Sequence, residues 1–178
     1  MAKYIETFKG WADTFREDVS ALKTLLESDG ADLEARKLAA GALSYLVTRM
    51  DLVPDFNEGI GVLDDVMVLR VIAQLASGHK LGALPSDVDI ALGRLQNEAD
   101  HVAHFLGKEL YDKFRVYCSH LADTSVRGRT PHQIVSEDAA RAALYSEVED
   151  EIKKSVPMVI SDPDDAELRF KAYLSHKL

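Results

Sequence analysis

The sequence predicts an all-α protein, a compact bundle of about six or seven helices around a central helix-turn-helix hairpin. Three observations support this fold class. Apolar residues recur at steps of three and four along most of the chain, which is the period of an amphipathic helix. No segment of useful length alternates apolar and polar residues as a strand would. Glycine, proline and small polar residues separate the helical segments.

An apolar stripe defines the first predicted helix, which runs from about Tyr4 to Glu27. The residues of the stripe are Ile5, Phe8, Trp11, Phe15, Val19, Leu22 and Leu26. The opposite face mixes acids and bases, whereas a helix lying on a membrane surface would be more basic. We therefore expect the stripe to pack on the core of the protein. An exposed stripe would instead favour a peripheral membrane protein.

A hairpin of two helices follows. The first of its helices is predicted from about Asp32 to Thr48, and the second from about Leu63 to Ser77. The second is apolar on nearly every side, which is typical of a buried, central helix.

The remainder of the chain, residues 85–178, is predicted to be a helical extension packed on the hairpin. Its first helix begins near Ser86, which with Asp89 resembles a capping box. Gly107 marks a break in that helix, which continues to about Leu121. The last two helices are predicted over 136–154 and from 163 onward. With the hairpin, they complete a single all-α domain over residues 1–178.

Composition restricts the classes of function. The chain has 178 residues, of which 47% are hydrophobic and 29% charged, as in a globular protein. The net charge of −9 disfavours binding to nucleic acid. The longest apolar run, Val66–Leu69, is too short to cross a bilayer. One cysteine, Cys118, excludes an internal disulfide, and the amino terminus lacks a secretory signal. These features predict a soluble, cytoplasmic protein.

The turn of the hairpin carries the most distinctive residues. Its motif reads Tyr45-Leu46, Asp51-Leu52-Val53-Pro54-Asp55-Phe56, Gly61 and Asp64-Asp65. In this motif the chain resembles the YkvA-like family, a bacterial domain of unknown function, over residues 35–76. It departs from the family at Thr48-Arg49, where Ser-Pro is usual, and at Asn57-Glu58, where an apolar residue and Pro are usual. The resemblance implies a helix-turn-helix hairpin but no reaction.

Two hypotheses explain the acids of this turn. Between Met50 and Leu69 the sequence has five acids and no Lys or Arg, and carboxylate oxygens are the ligands that Mg²⁺, Mn²⁺ and Ca²⁺ prefer. One hypothesis is therefore a divalent-cation site formed by Asp51, Asp55, Asp64 and Asp65. The simpler explanation for Asp64 and Asp65 is a favourable interaction with the helix dipole, about 0.3–1 kcal/mol each.

The second hypothesis, which we favour, is a structural ion-pair network. Arg70 lies inside the apolar helix and, if buried, needs a carboxylate partner. Asp51 or Asp55 would supply that carboxylate, and Arg49 would complete the network.

Two further groups of residues attract a functional interpretation. His101 and His104 share a helix face at i,i+3 spacing, with His120 as a third metal ligand, although one packed and one solvated histidine is the simpler interpretation. Arg127 and Arg129 form a small basic loop, expected to be a solvated surface loop rather than a phosphate site.

The sequence contains no nucleotide-binding loop and no nucleophile elbow. We therefore favour a non-catalytic binding or regulatory module, acting through helix faces or the acidic turn, with another protein or a second copy as partner. One alternative is a divalent-metal-dependent hydrolase, in which Asp51 and Asp55, with a contribution from Asp64 or Asp65, hold an ion that activates water. The second alternative is the peripheral membrane protein.

Overall fold

The computed structural model describes residues 3–48, 52–53, 62–154 and 160–178, and this part of the chain forms nine α-helices. These are α1 (Lys3–Trp11), α2 (Phe15–Glu27), α3 (Leu33–Leu46), α4 (Leu63–Ala76), α5 (Ser86–Leu106), α6 (Lys108–His120), α7 (Pro131–Ser136), α8 (Asp138–Lys154) and α9 (Pro163–Lys177). Within the same ranges there is no β-strand, and Val126 and Arg129 form an isolated bridge. The predicted all-α helical bundle is confirmed.

Nine helices exceed the predicted number because the first predicted helix is divided in two and because α7, Pro131–Ser136, was not predicted. The first predicted helix is divided by a 3₁₀ turn, Ala12–Thr14, between α1 and α2. At this turn the Thr14 hydroxyl lies 3.3 Å from the Trp11 carbonyl oxygen and 3.0 Å from Asp18 Oδ2, and such side-chain bonds compete with the helical backbone. The break predicted at Gly107 is present, since this residue, at φ 77°, separates α5 from α6.

The hairpin of α3 and α4 lies at the centre of the bundle. α3 packs against α2, α4, α7 and α8, while α4 packs against α1, α2, α3, α5 and α6. Gly41 of α3 lets the 3₁₀ turn at Leu121–Asp123 come close, because a Cβ at this position would lie 2.4 Å from the Leu121 carbonyl oxygen. The central hairpin predicted from the motif is therefore present.

The apolar stripe of the first segment packs on this core. Ile5, Phe8, Trp11, Val19, Leu22 and Leu26 are buried, and Phe15 is half-buried. The peripheral membrane alternative depended on exposure of this stripe, which the structure does not provide. Throughout the described residues, no helix has both the length and the apolar character to cross a membrane.

The predicted capping box at the start of α5 is wrong. Pro85 occupies the N-cap position, and no side chain caps the helix. Because Ser86 is already the first helical residue, its hydroxyl is one position too late to act as the cap. Asp89 consequently lies on the surface of the first turn of α5 without a capping role.

Candidate functional site

Arg70 of α4 is a buried charged residue, with none of its side chain exposed. Its Nε donates to Glu98 Oε2 at 2.7 Å and its Nη2 lies 3.4 Å from Asp18 Oδ2. Its Nη1 donates to the Val66 carbonyl oxygen at 3.0 Å. The Trp11 ring covers the guanidinium, with 4.1 Å between Cζ and the ring centroid. The buried cation therefore has the carboxylate partners that its burial requires.

Arg94 of α5 adds a second cation to this group. Its Nη2 donates to Asp18 Oδ1 at 2.6 Å, and its Nη1 lies 3.5 Å from Glu98 Oε1. The Thr14 hydroxyl donates to the other oxygen of Asp18. Burial lowers the pKa of Arg70, and the charges of Glu98 and Asp18 oppose that shift. Two cations and two anions thus balance each other, and we call Asp18, Arg70, Arg94 and Glu98 the Arg70 cluster.

Sequence reasoning missed most of this cluster, although the sequence contains a signal. Asp18 falls four residues before Leu22, and Glu98 falls three residues after Leu95. Both acids therefore occupy core positions on apolar helical stripes, as Arg70 does on α4. Charged residues at core positions of three helices indicate a buried network, provided that the three helices meet.

The network predicted from the sequence involved other partners. Arg49, Asp51 and Asp55 lie outside the described residues, so their part in a network with Arg70 stays a prediction. The carboxylates that hold Arg70 among the described residues come from α2 and α5 and not from the turn of the hairpin.

A second buried polar group joins the two helices of the hairpin at the base of the turn. The Tyr45 hydroxyl donates a short hydrogen bond to Asp64 Oδ2 and accepts one from the Leu52 backbone N–H at 2.9 Å. Burial raises the pKa of Tyr45 well above its ordinary value, and the charges of Asp64 and Asp65 raise it further. The tyrosine therefore remains a neutral donor, and the motif residues Tyr45, Leu52 and Asp64 fix the geometry of the hairpin.

The predicted divalent-cation site is only partly within the described residues. Asp64 is fully buried against Tyr45, and Asp65 is half-buried beside it in the first turn of α4. Asp51 and Asp55 lie outside the described residues, so a cation site at the turn stays a prediction. Within the described ranges, no three His, Cys, Asp or Glu side chains are arranged to hold a metal ion. The predicted group of His101, His104 and His120, all within these ranges, is therefore not a metal site.

Both arginines of the basic loop form ion pairs with Glu147 of α8. Arg127 Nη1 lies 2.8 Å from Glu147 Oε1, and Arg129 Nη2 lies 2.7 Å from Glu147 Oε2. The hydrogen bond from Arg129 lowers the pKa of Glu147, and Arg127 lowers it further. Because both arginines are held by one carboxylate of α8, the loop serves to join α8 to the rest of the bundle.

An open pocket lies between α2, the end of α4 and the first half of α5, with a volume of about 80 Å³. Its apolar residues are Leu25, Ala73, Ala76, Leu81 and Leu92, and Ser77, Asp89, Gly93 and Gln96 complete the lining. We call it the α5 pocket. The Asp89 carboxylate forms no ion pair and accepts no hydrogen bond within the part of the chain that the structure describes. Ile90, the next residue, is 72% exposed.

The comparisons with known proteins concern the hairpin. A family model described as "Protein of unknown function (DUF1232)" matches residues 35–70, which include Tyr45 and Asp64. YkvA-like proteins form a DUF1232 family, so the resemblance predicted from the motif is confirmed for this segment. No curated protein and no solved structure matches the chain. The central hairpin is therefore similar, over residues 35–70, to a family whose function is unknown.

Proposed function

We propose that this protein is a non-catalytic module that binds another protein through the first half of α5, which carries Ile90 and lines the α5 pocket. The observation that supports the proposal is that α5 carries a highly exposed isoleucine and, through Asp89, Leu92 and Gly93, also lines an open pocket. Single exposed apolar residues are common. A partner that covers exposed apolar surface gains about 25 cal/mol per Å² of apolar area removed from water.

The buried charged residues have a structural explanation that needs no reaction. The four charges of the Arg70 cluster pair with one another, and the Tyr45 hydroxyl is used by Asp64 and Leu52. These groups hold α1 to α5 in a fixed arrangement. We infer that the DUF1232 hairpin is the frame of the module and that the outer face of α5 is its contact surface.

Photo-crosslinking at position 90 tests this proposal. The full chain would carry p-benzoylphenylalanine in place of Ile90, with the same change at Leu168 as a control. Leu168 is a matched control because it is also 72% exposed but lies on α9. We expect a discrete adduct with a second protein from position 90 and none from position 168. The protein identified in the adduct would then be purified, and Ile90→Asp should weaken its binding at least tenfold, about 1.4 kcal/mol.

Four outcomes would overturn the proposal. Equal adducts from both positions, or none from either, would remove the evidence for a contact surface on α5. An adduct with twice the mass of the chain would show that position 90 contacts a second copy of this chain rather than a different protein. Unchanged binding of the purified partner to Ile90→Asp would also reject this face.

A further inference from the structure

The geometry of the α5 pocket points to the chemistry of its occupant. We propose that the pocket takes a long cationic side chain, lysine or arginine, from the bound partner. The methylene groups of that side chain would lie against Leu25, Ala76, Leu81 and Leu92, and its charge would meet Asp89. This inference rests on the proposed function, because a bound protein has to present the side chain.

The size of the pocket favours one side chain over a small-molecule ligand. Pockets for cofactors and other small molecules have volumes of about 300–1,000 Å³, whereas the α5 pocket has about 80 Å³. A cavity measured in this way needs about 10–15 Å³ to hold one water molecule, so the pocket has room for a short aliphatic chain. An open mouth suits a side chain whose charged end remains at the surface, as the stems of lysine and arginine allow.

The electrostatics of the pocket favour a cation. The Asp89 carboxylate forms no ion pair with a described residue, and this includes Lys80 of the adjoining loop. It also caps no helix end. Ala76 and Ser77 bring the last turn of α4 to the pocket. The carboxyl end of a helix carries partial negative charge, and the last turn of α4 contains no basic residue.

Gly93 provides independent support for an occupied pocket. It lies inside α5, where glycine is less stable than alanine by about 0.5–1 kcal/mol. Packing does not require it, because an added Cβ would have no heavy atom within 4 Å, and its φ is not in the left-handed region. The space beside Gly93 belongs to the pocket that it lines. A methyl group there would reduce the room for a ligand.

An NMR titration of the full chain tests the inference with three probes of similar length and different charge: n-butylammonium, 1-butanol and pentanoate. We expect saturable shifts of the Gly93 and Ala76 amide signals, with n-butylammonium binding about two- to fivefold more tightly than 1-butanol. That ratio corresponds to an exposed ion pair of about 0.4–1 kcal/mol. Pentanoate should bind most weakly. Asp89→Asn should remove the preference for the cation, and Gly93→Ala should weaken binding of both butyl probes.

The control variant is Gly10→Ala, because Gly10 is also helical with open space around its Cβ position and does not line the pocket. It should leave all three titrations unchanged. Equal affinity for n-butylammonium and 1-butanol would reject the cationic occupant and leave the proposed function intact. No saturable shift with any probe would reject an aliphatic occupant altogether. The proposed function itself fails only in the crosslinking and binding experiments at Ile90, so the two failures are distinguishable.

Discussion

The Arg70 cluster and the α5 pocket use neighbouring residues of the same helix in opposite ways. Arg94 joins the cluster, where each charge meets an opposite charge from another residue. Gly93, the preceding residue, lines the pocket, where the Asp89 carboxylate has no counterpart among the described residues. Buried charges are retained only when they are paired, so the cluster fixes the positions of the helices. A carboxylate left unpaired beside an apolar wall is instead available to a ligand.

The largest effect is expected from breaking the cluster. Arg70→Met would leave Asp18 and Glu98 with one cation fewer, and removing one partner of a buried ion pair costs about 3–5 kcal/mol. For a chain of this length, the melting temperature should fall by about 6–20 °C. Urea unfolding followed by circular dichroism measures the loss. Trp11, the single tryptophan, lies on Arg70 and provides a fluorescence probe of the same region.

The matched control for this prediction is Arg16→Met. Arg16 pairs with Glu149 but is 64% exposed, and surface ion pairs contribute about 0–1 kcal/mol. If Arg70→Met costs no more than Arg16→Met, the cluster does not hold the helices together. The titration of the α5 pocket with n-butylammonium should be unchanged in both variants under conditions where they remain folded.

The sequence was sufficient for the fold class and for the hairpin, because both depend on local patterns. Apolar spacing identified α3 and α4, and the motif around Tyr45 and Asp64 identified the family segment. The break between α1 and α2 was missed, since it depends on hydrogen bonds of the Thr14 hydroxyl, for which an apolar pattern contains no signal.

The candidate sites were harder to predict because they depend on which helices meet. The need of Arg70 for a carboxylate followed from burial alone, but the choice of Asp18 and Glu98 required the packing of α2 and α5 on α4. The α5 pocket was missed for the same reason. Its walls come from α2, α4, the loop after α4, and α5, and Asp89 was assigned to a helix cap that does not form.

A smaller loss of stability is expected at the base of the hairpin. Tyr45→Phe would remove the donor to Asp64 and the acceptor of the Leu52 N–H, and leaving a buried polar group unsatisfied costs about 1–3 kcal/mol. Tyr4→Phe is the control, because Tyr4 packs its ring on Phe8 and Phe105. The two variants are compared by urea unfolding at neutral pH, and equal stabilities would contradict a structural role for the Tyr45 hydroxyl.

The advantage of wild type over Tyr45→Phe should depend on pH. The pKa of Tyr45 is raised in the folded state by burial and by Asp64 and Asp65, while an unfolded tyrosine has a pKa of about 10. The contribution of the hydroxyl is therefore fully present below about pH 10 and is lost as the pH rises toward the folded-state pKa. Unfolding measured from about pH 8 to pH 11 should show the difference narrowing. A difference that widens at high pH would reverse the sign of this linkage.

The smallest effect is expected at the pocket, and it has the opposite sign. Gly93→Ala should stabilise the chain by about 0.5–1 kcal/mol and raise the melting temperature by about 1–4 °C, because alanine is the better helix former and nothing obstructs its methyl group. Gly10→Ala should stabilise α1 in the same way.

If glycine is kept at position 93 for binding, only Gly93→Ala should combine higher stability with weaker binding of n-butylammonium. A destabilised Gly93→Ala would mean that packing requires the glycine, and the pocket would then lose its independent support. A variant that gains stability and loses affinity identifies a site that is kept open for a ligand. The Arg70 cluster is the opposite case, because its charges are satisfied by one another.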